Sequence, residues 1–523
     1  MERSTMSERL TTRRSFLKCT GVAALAGLPG SAIASAQHAE PRSTSPPIRA
    51  ESRRAGLHHL LLAAPEALFR PTASACTVQW VPNGAVEARV RVGPREDDLT
   101  VLREATSDTP TEINVTGFGP CTDLYVQCQF RRKGGDQWLV RPTRRVRLGR
   151  SRGEEFRVAL IADSHVYKAV REEQHMRNLR QTNARVLVDR PDFVIFLGDE
   201  AGIRYLRDKP GYMTQQRAFE RWQFWRDTFA PLLAAVPSFM VLGNHEGEAG
   251  FYQAHSEGSH TAYRQRWGTI ARKRYLLNPL PSTYPEGGEN EGWVGDPRSP
   301  ATGGVGEGNC SPLQNYYAWS WGDALFVVLD VHRYTNIGGQ TPKTVDEWTL
   351  GAAQLSWLER VLTSSRARWK LVLAHHVVGG STWDREGQSQ NPTYVYGRGG
   401  ARYLRVGEQA RITEIMKRTG AQLFLYGHDH VFAHQEAEGI HCVCCGRPTF
   451  LTRAWWPSPG WKEAYGEVSA RNPHDFYAAL GYTRLSVSAE RVLVEYVRTG
   501  TDWKNAENVT QEEGEVVHAF SVT

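Results

Sequence analysis

Between residues 155 and 500, short apolar runs alternate with longer stretches whose apolar positions recur every three or four residues. The runs 156–162, 193–197, 239–242, 371–373 and 423–426 are short and rich in Val, Ile, Leu and Phe, as buried strands are. The stretches 169–189, 215–233, 354–363 and 408–418 carry helical periodicity. Strand and helix in alternation predict a layered α/β domain with covered sheets. Upstream, segments 77–80, 85–92, 111–115 and 124–130 are alternating or β-branched, and Lys133-Gly134-Gly135-Asp136 predicts a hairpin turn before 137–140. Such evenly spaced short strands predict a β-sandwich of about 90 residues. Segments 477–481 and 484–497 are expected to be terminal strands closing the second sheet of the α/β domain.

Polar motifs follow the apolar runs. In order they are Asp163-Ser164-His165, Gly198-Asp199-Glu200, Gly243-Asn244-His245-Glu246, Ala374-His375-His376 and Gly427-His428-Asp429-His430. A lone motif of this kind is weak. Five in order, each where a predicted strand ends, converge on one edge of a sheet. They supply two Asp, one Asn and four His, the ligand inventory of a site for two metal ions. Imidazole mixed with carboxylate suits Zn, Mn or Fe, whereas an all-oxygen set would suit Mg or Ca. Glycines 198, 243 and 427 permit tight turns beside the ligands.

This order of motifs resembles the calcineurin-like metallophosphoesterase superfamily over roughly residues 155–500, supported by Asn315-Tyr316-Tyr317-Ala318-Trp319-Ser320-Trp321-Gly322 leading into 326–330. The resemblance implies a four-layer α/β/β/α domain holding two divalent or trivalent transition-metal ions (Mn, Zn or Fe). Carried over by position, Asp163, His165 and His430 would hold one ion, Asn244, His375 and His428 the other, and Asp199 would bridge them. His376 would lie near the rim. The upstream β segment is similar to the fibronectin type III-like domain that precedes the catalytic domain of purple acid phosphatases. Those enzymes lack the His of D-x-H and carry a metal-binding Tyr three residues after the bridging Asp. This chain has His165, and Gly202 stands at the Tyr position. The expected site therefore lacks a tyrosinate ligand and is colourless.

The expected organisation is a signal at 1–36, a linker at 37–56 rich in Pro, Ser and Arg, the sandwich at 57–150, the metallophosphoesterase domain at 155–500 and an extension at 501–523. Arg13-Arg14-Ser15-Phe16-Leu17-Lys18, the apolar stretch 21–33 and Ala34-Ser35-Ala36 resemble a twin-arginine export signal. Export by that route to the periplasm or exterior is expected, with no transmembrane anchor after signal removal. Of the formal charge of +7, residues 1–36 contribute +3 through Arg3, Arg9, Arg13, Arg14 and Lys18 against Glu2 and Glu8. The mild remainder, without a long basic run interleaved with aromatics, does not indicate a nucleic-acid scaffold but suits anionic substrates. Setting aside Cys19, seven cysteines remain, an odd number, and the Cys442-Val443-Cys444-Cys445 spacing does not match a structural zinc site. The segment 442–445 is expected to be a buried strand.

The resemblance implies a metal-dependent phosphoric ester hydrolase, and two metal ions on these ligands would generate hydroxide as nucleophile with no protein nucleophile. The foremost expectation is a phosphomonoesterase acting on a small phosphorylated substrate, with His245 hydrogen-bonding the phosphate or protonating the leaving oxygen. A phosphodiesterase or nucleotidase would use the same residues. An extracytoplasmic binding protein acting through the sandwich, or a metal-stabilised structural protein, are readings from other classes, and intact ligands at seven positions speak against both. Insertions 248–312 and 379–400, with Trp383, Tyr394, Tyr396 and Arg398, join strands at the metal edge as candidate walls. Nothing in the sequence sets an oligomeric state.

Overall fold

The computed structural model describes residues 60–523 apart from 170–172, 204–213, 247–260, 281–283, 288–314, 332–349, 376–405, 450–475, 501–513 and positions 429, 431, 438, 478 and 479. The expected signal and linker, most of both insertions, His376, Trp383, Tyr394, Tyr396, Arg398 and Cys310 thus lie outside the described residues. An all-β region comes first: β1 (Leu62–Phe69), β2 (Cys76–Pro82), β3 (Val86–Arg95), β4 (Asp98–Ser107), β5 (Thr111–Val115), β6 (Asp123–Arg132), β7 (Leu139–Val140) and β8 (Arg144–Arg147). Alternation then begins with β9 (Phe156–Ile161), α1 (Val166–Ala169), α2 (Glu173–Asp189), β10 (Phe193–Phe196), α3 (Gln215–Thr228), α4 (Ala230–Leu233), β11 (Ser238–Met240) and α5 (Thr261–Tyr275). A second half follows with β12 (Tyr317–Trp321), β13 (Ala324–Val328), α6 (Gly351–Ser364), β14 (Trp369–Ala374), α7 (Val406–Thr419) and β15 (Leu423–Tyr426). The chain ends in β16 (Phe432–Ala437), β17 (Ile440–Cys445), β18 (Phe476–Tyr477), β19 (Leu480–Val487), β20 (Val492–Gly500) and β21 (Val516–Val522).

Two large sheets form the centre. One runs β21-β20-β19-β9-β10-β11-β1-β2-β5 and the other β12-β13-β14-β15-β17-β16-β18. Strand alternation divides side chains between layers. In β9 and β10, Val158, Leu160, Phe193 and Ile195 face the second sheet and meet Trp319, Phe326, Leu371 and Leu425. Their neighbours Ala159, Ile161, Val194 and Phe196 face outward onto Leu179, Val186, Trp222 and Trp225 of α2 and α3. On the far side Leu325, Val327, Val372 and Phe424 pack under Leu355, Leu358, Leu362, Ile412 and Met416 of α6 and α7. The result is an α/β/β/α stack, with every motif-bearing strand buried on both faces.

The all-β region packs Leu62, Leu68, Val78 and Trp80 of β1 and β2 against Val86, Val90, Leu124 and Phe130 of β3 and β6. As expected it is a sandwich: β4-β3-β6-β7, with β8 on β6, form one sheet, and β1, β2 and β5 form the other, which does not stand alone. β1 joins β11 in parallel at Phe69 and Ser238, so β1, β2 and β5 extend the first catalytic sheet. Ala64, Ala67 and Phe69, on the opposite face of β1, belong to the core beneath α3.

Two expectations are corrected. β19 and β20 do not close the second sheet; β19 pairs antiparallel with β9 from Thr483 to Val487 and joins the first. A period of two shows which face a strand buries but not its neighbour. The predicted helix 215–233 is broken at Phe229, with Pro231 in the first turn of α4. Pro lacks the N–H needed in a helix interior but fits a first turn. The segment 442–445 lies in β17 as expected, with Cys442, Cys444 and Cys445 buried and, among the described residues, in no disulfide.

Candidate metal centre

Asp163 follows β9, Asp199 follows β10, Asn244 follows β11, His375 follows β14 and His428 and His430 follow β15. β9, β10 and β11 are mutually parallel, as are β13, β14 and β15, so these ends meet at one edge of the two facing sheets. Eight described non-glycine residues have positive φ, and five of them are Asp163 (53°), His165 (44°), Asp199 (62°), His428 (72°) and His430 (64°). Such backbone is uncommon for residues with a Cβ and each instance costs roughly 1–3 kcal/mol. The surrounding contacts hold it in place. Asp163 N donates to Gly198 O at 3.0 Å and His165 N to Asp199 O at 3.0 Å. His428 N donates to Asp163 Oδ2 at 2.6 Å and His245 N to Asp199 Oδ1 at 2.9 Å. A Cβ on Gly427 would come 2.6 Å from Asp163 Oδ2, and one on Gly243 would come 2.3 Å from Asp199 N. Glycine lets the loops approach this closely.

All seven sequence-predicted ligands lie together. Asp163, His165, Asp199 and His430 present ligand atoms within 4.8 Å of one another, and Asp199, His375 and His428 form a second such group. Asn244 Oδ1 joins the second, 3.1 Å from His375 Nε2. Imidazole nitrogens face each other across both groups, His165 Nε2 and His430 Nε2 at 3.0 Å and His375 Nε2 and His428 Nδ1 at 3.2 Å. His375 Nδ1 lies 2.6 Å from Leu197 O; a carbonyl only accepts, so Nδ1 carries a proton and Nε2 points inward, where, against burial, the Asp199 and Asp163 charges push the imidazole up to about 9 and hold a proton that a cation would replace.

The donors fit cations. Asp163 Oδ1 is buried and accepts no hydrogen bond. Burial and the nearby Asp199 charge push Asp163 up to about 7, partly opposed by His375. Burial alone would also raise Asp199, but His245, His375 and His165 hold its carboxyl well below the usual range. Burial keeps the His165 imidazole neutral, the form that coordinates metal. Buried carboxylates crowded among inward-facing imidazole nitrogens, one of which they hold protonated, are a site that positive charge would satisfy.

Sequence reasoning missed the groups that hold these ligands. Glu246, quoted within its motif but given no role, accepts from Gly243 N (2.7 Å) and Asp199 N (3.0 Å) at one oxygen and from Glu200 N (2.7 Å) and Ala201 N (3.3 Å) at the other. It clamps two ligand loops. Burial raises Glu200 well above the carboxylate range, and its Oε2 accepts from Ser164 Oγ and from Trp225 Nε1. Tyr167 Oη lies 2.9 Å from His165 Nδ1 and 2.6 Å from His245 Nδ1, joining a candidate ligand to the candidate acid. A Cβ on Gly202 would come 2.1 Å from this tyrosine ring. Tyr167 thus occupies the space a side chain at 202 would need, and its hydroxyl sits on the Nδ1 side of His165, away from the nitrogen that faces the other ligands. Tyr167 follows its motif by only two residues, yet no spacing rule marks it.

A model of the calcineurin-like phosphoesterase family matches residues 156–432, just over half of the chain. The chain belongs to the calcineurin-like phosphoesterase family. As a calcineurin-like phosphoesterase it is a metal-dependent hydrolase of phosphoester bonds, and its buried His and Asp groups are where a metal centre fits. Among solved structures it is similar to PhoD at 16% identity and TM-score 0.57, covering 84% of this chain and 87% of that one. It is also similar to the purple acid phosphatase PPD1 isolated from yellow lupin (Lupinus luteus) seeds, at 14% identity and TM-score 0.54 over 87% and 73% of the two chains. At these identities the likeness concerns fold. No curated protein matches the sequence significantly. Among the described residues no helix of this calcineurin-like phosphoesterase is long and apolar enough to cross a membrane.

Proposed function

We propose that the chain is a phosphomonoesterase with a dinuclear centre, one ion held by Asp163, His165 and His430, the other by Asn244, His375 and His428, and Asp199 shared between them. The observation that carries this is the orientation of Asp199. Its Oδ1 lies 3.3 Å from His375 Nε2 in one group, and its Oδ2 lies 3.7 Å from His165 Nε2 in the other. When bound, the cations supply Lewis acidity toward a phosphoryl oxygen and lower the pKa of a water nucleophile.

The chain's own groups position the reaction. The neutral His165 keeps its lone pair inward and the Leu197 carbonyl aims His375 Nε2 inward, while His245 N fixes Asp199 Oδ1. His245 Nε2 lies 3.6 Å from Asp199 Oδ2, at the junction of the two groups, and its Nδ1 is engaged by Tyr167. Nε2, facing that junction, is the nitrogen placed to hydrogen-bond the phosphate or give a proton to the leaving oxygen. We further propose that residues 1–36 direct export by the twin-arginine route, which places the hydrolase in the periplasm or outside the cell.

The test is turnover of a panel of phosphomonoesters, phosphodiesters and nucleotides by wild type and Asp199→Asn. Metal-dependent hydrolysis of monoesters, lost in the variant, is expected. Faster turnover of diesters or nucleotides would reassign the substrate class, and no turnover across the panel would overturn the catalytic reading.

A further inference from the structure

A second charged cavity lies at the other end of the first catalytic sheet. It has a volume of about 430 Å³ and is lined by Arg144, Arg145, Arg147, Arg150 and Arg190. Asp123 and Asp192 are the acidic groups in its lining, which leaves a surplus of three positive charges. Its walls come from the start of β6 and from β8 in the all-β region, from the end of α2 and the turn before β10 that carries Arg190, Pro191 and Asp192, and from the turn before β11 at 235–237.

The two carboxylates are already engaged. Asp123 Oδ2 lies 2.6 Å from Arg145 and 3.5 Å from Arg147, and Asp192 Oδ1 lies 2.5 Å from Arg150 Nε. Arg147 also pairs with Glu154 at 2.8 Å. Arg144 and Arg190 have no carboxylate within ion-pairing distance among the described residues. Arg144 Nε is buried and makes no hydrogen bond. Arg144 is half-buried and has Glu66 near enough to favour its charge, but a buried N–H without a hydrogen-bond acceptor is costly, and an anion in the cavity would supply one. Arg190 is exposed and held at a φ of 50°, on the turn that opens to the cavity.

We propose that this cavity binds a small multivalent phosphate, an anion of the pyrophosphate type, either free or as the phosphate tail of a metabolite. Guanidinium groups match phosphate oxygens in bidentate pairs, and the volume lies within the range of small-molecule sites. The site is separate from the metal centre: Asp192 precedes β10 and Asp199 follows it, so the two ends lie roughly 20 Å apart along the strand. The inference does not rest on the proposed phosphatase reaction.

Calorimetric titration of the metal-loaded full chain with pyrophosphate tests it, with metal content checked after each run. Binding should persist in Asp199→Asn, weaken at least tenfold in Arg144→Gln/Arg190→Gln, and leave the hydrolysis rate of the double-arginine variant at the wild-type level. Should that variant fail to fold, the exposed Arg190→Gln alone should weaken binding at least threefold. An ADP arm separates the two sources: binding of both assigns a phosphorylated metabolite, and binding of pyrophosphate alone assigns the free anion. Absence of binding, or binding abolished by Asp199→Asn and untouched by either arginine variant, would overturn the proposal.

Discussion

Replacing Glu246 with Gln tests whether one buried carboxylate holds the ligand loops. Four backbone N–H groups, of Asp199, Glu200, Ala201 and Gly243, donate to its two oxygens in pairs. A Gln side chain offers one acceptor oxygen and one amino group, so in either orientation two of the four donors face another donor. Each buried donor left unsatisfied costs about 1–3 kcal/mol, giving about 2–6 kcal/mol in total. Burial and the Asp199 charge push the Glu246 carboxyl up to about 7, so near neutral pH removing its charge relieves part of that cost. The expected loss is therefore at the lower end, about 2–3 kcal/mol. Because two of the donors belong to Asp199 and Gly243, the loss should fall on the metal loops as well as on global stability. Urea unfolding and metal analysis of metal-loaded wild type and Glu246→Gln provide the assay. A lowered midpoint with reduced metal retention is expected; a variant with wild-type midpoint and full metal content would refute the clamp.

Further outcomes follow from the same geometry. Tyr167→Phe removes the hydroxyl between His165 Nδ1 and His245 Nδ1 while keeping the ring over Gly202; kcat on poor leaving groups should fall about tenfold, or about 1.4 kcal/mol, with metal content kept. Equal kcat for the two proteins on such substrates would remove Tyr167 from the account. At the sheet interface, His434 lies 3.0 Å from His441 Nδ1, 3.3 Å from His518 Nε2 and stacks on Phe520 at 3.6 Å. Burial, with its two histidine neighbours, holds His434 down to about 3 against an ordinary value of 6.5. Because the folded pKa is depressed, the contribution to stability is complete above 6.5 and declines as pH falls toward 3, by about 2 kcal/mol at pH 5. Urea midpoints at pH 7.5 and 5 should therefore diverge less in His434→Phe than in wild type, and identical acid sensitivity would count against the cluster. With Gly202 where purple acid phosphatases carry their metal-binding tyrosine and Tyr167 on the outer side of His165, metal-loaded protein should show no tyrosinate charge-transfer band; a strong visible band would contradict this arrangement.

The ligands were legible in the sequence because each closes a buried strand whose apolar run is unambiguous, as Phe193–Phe196 leads to Asp199 and Leu423–Tyr426 to His428. Strong periodicity likewise marked the helices later found at Glu173–Asp189 and Gly351–Ser364. What stayed hidden was relational. Leu62–Phe69 carries small and large residues on both faces because it serves two cores, and no local pattern announces that it joins β11. The segment from Leu480 to Val487 reads as a strand, but its partner β9 lies more than 300 residues earlier. Glu246 and Tyr167 act through contacts with backbone amides and ring nitrogens of other loops, and residue type does not encode those meetings. Resemblance supplied the assignment of ligands to two groups, and the geometry of Asp199 gives that division a physical basis.

The most direct test of the central claim is a reconstitution titration. Metal-free protein receives Mn, Zn or Fe in increments while hydrolysis of a phosphomonoester is followed. Two ions sharing Asp199 predict activity that saturates at two equivalents per chain. Saturation at one equivalent would contradict the shared site, and an absence of metal-dependent turnover at any loading would contradict the account as a whole.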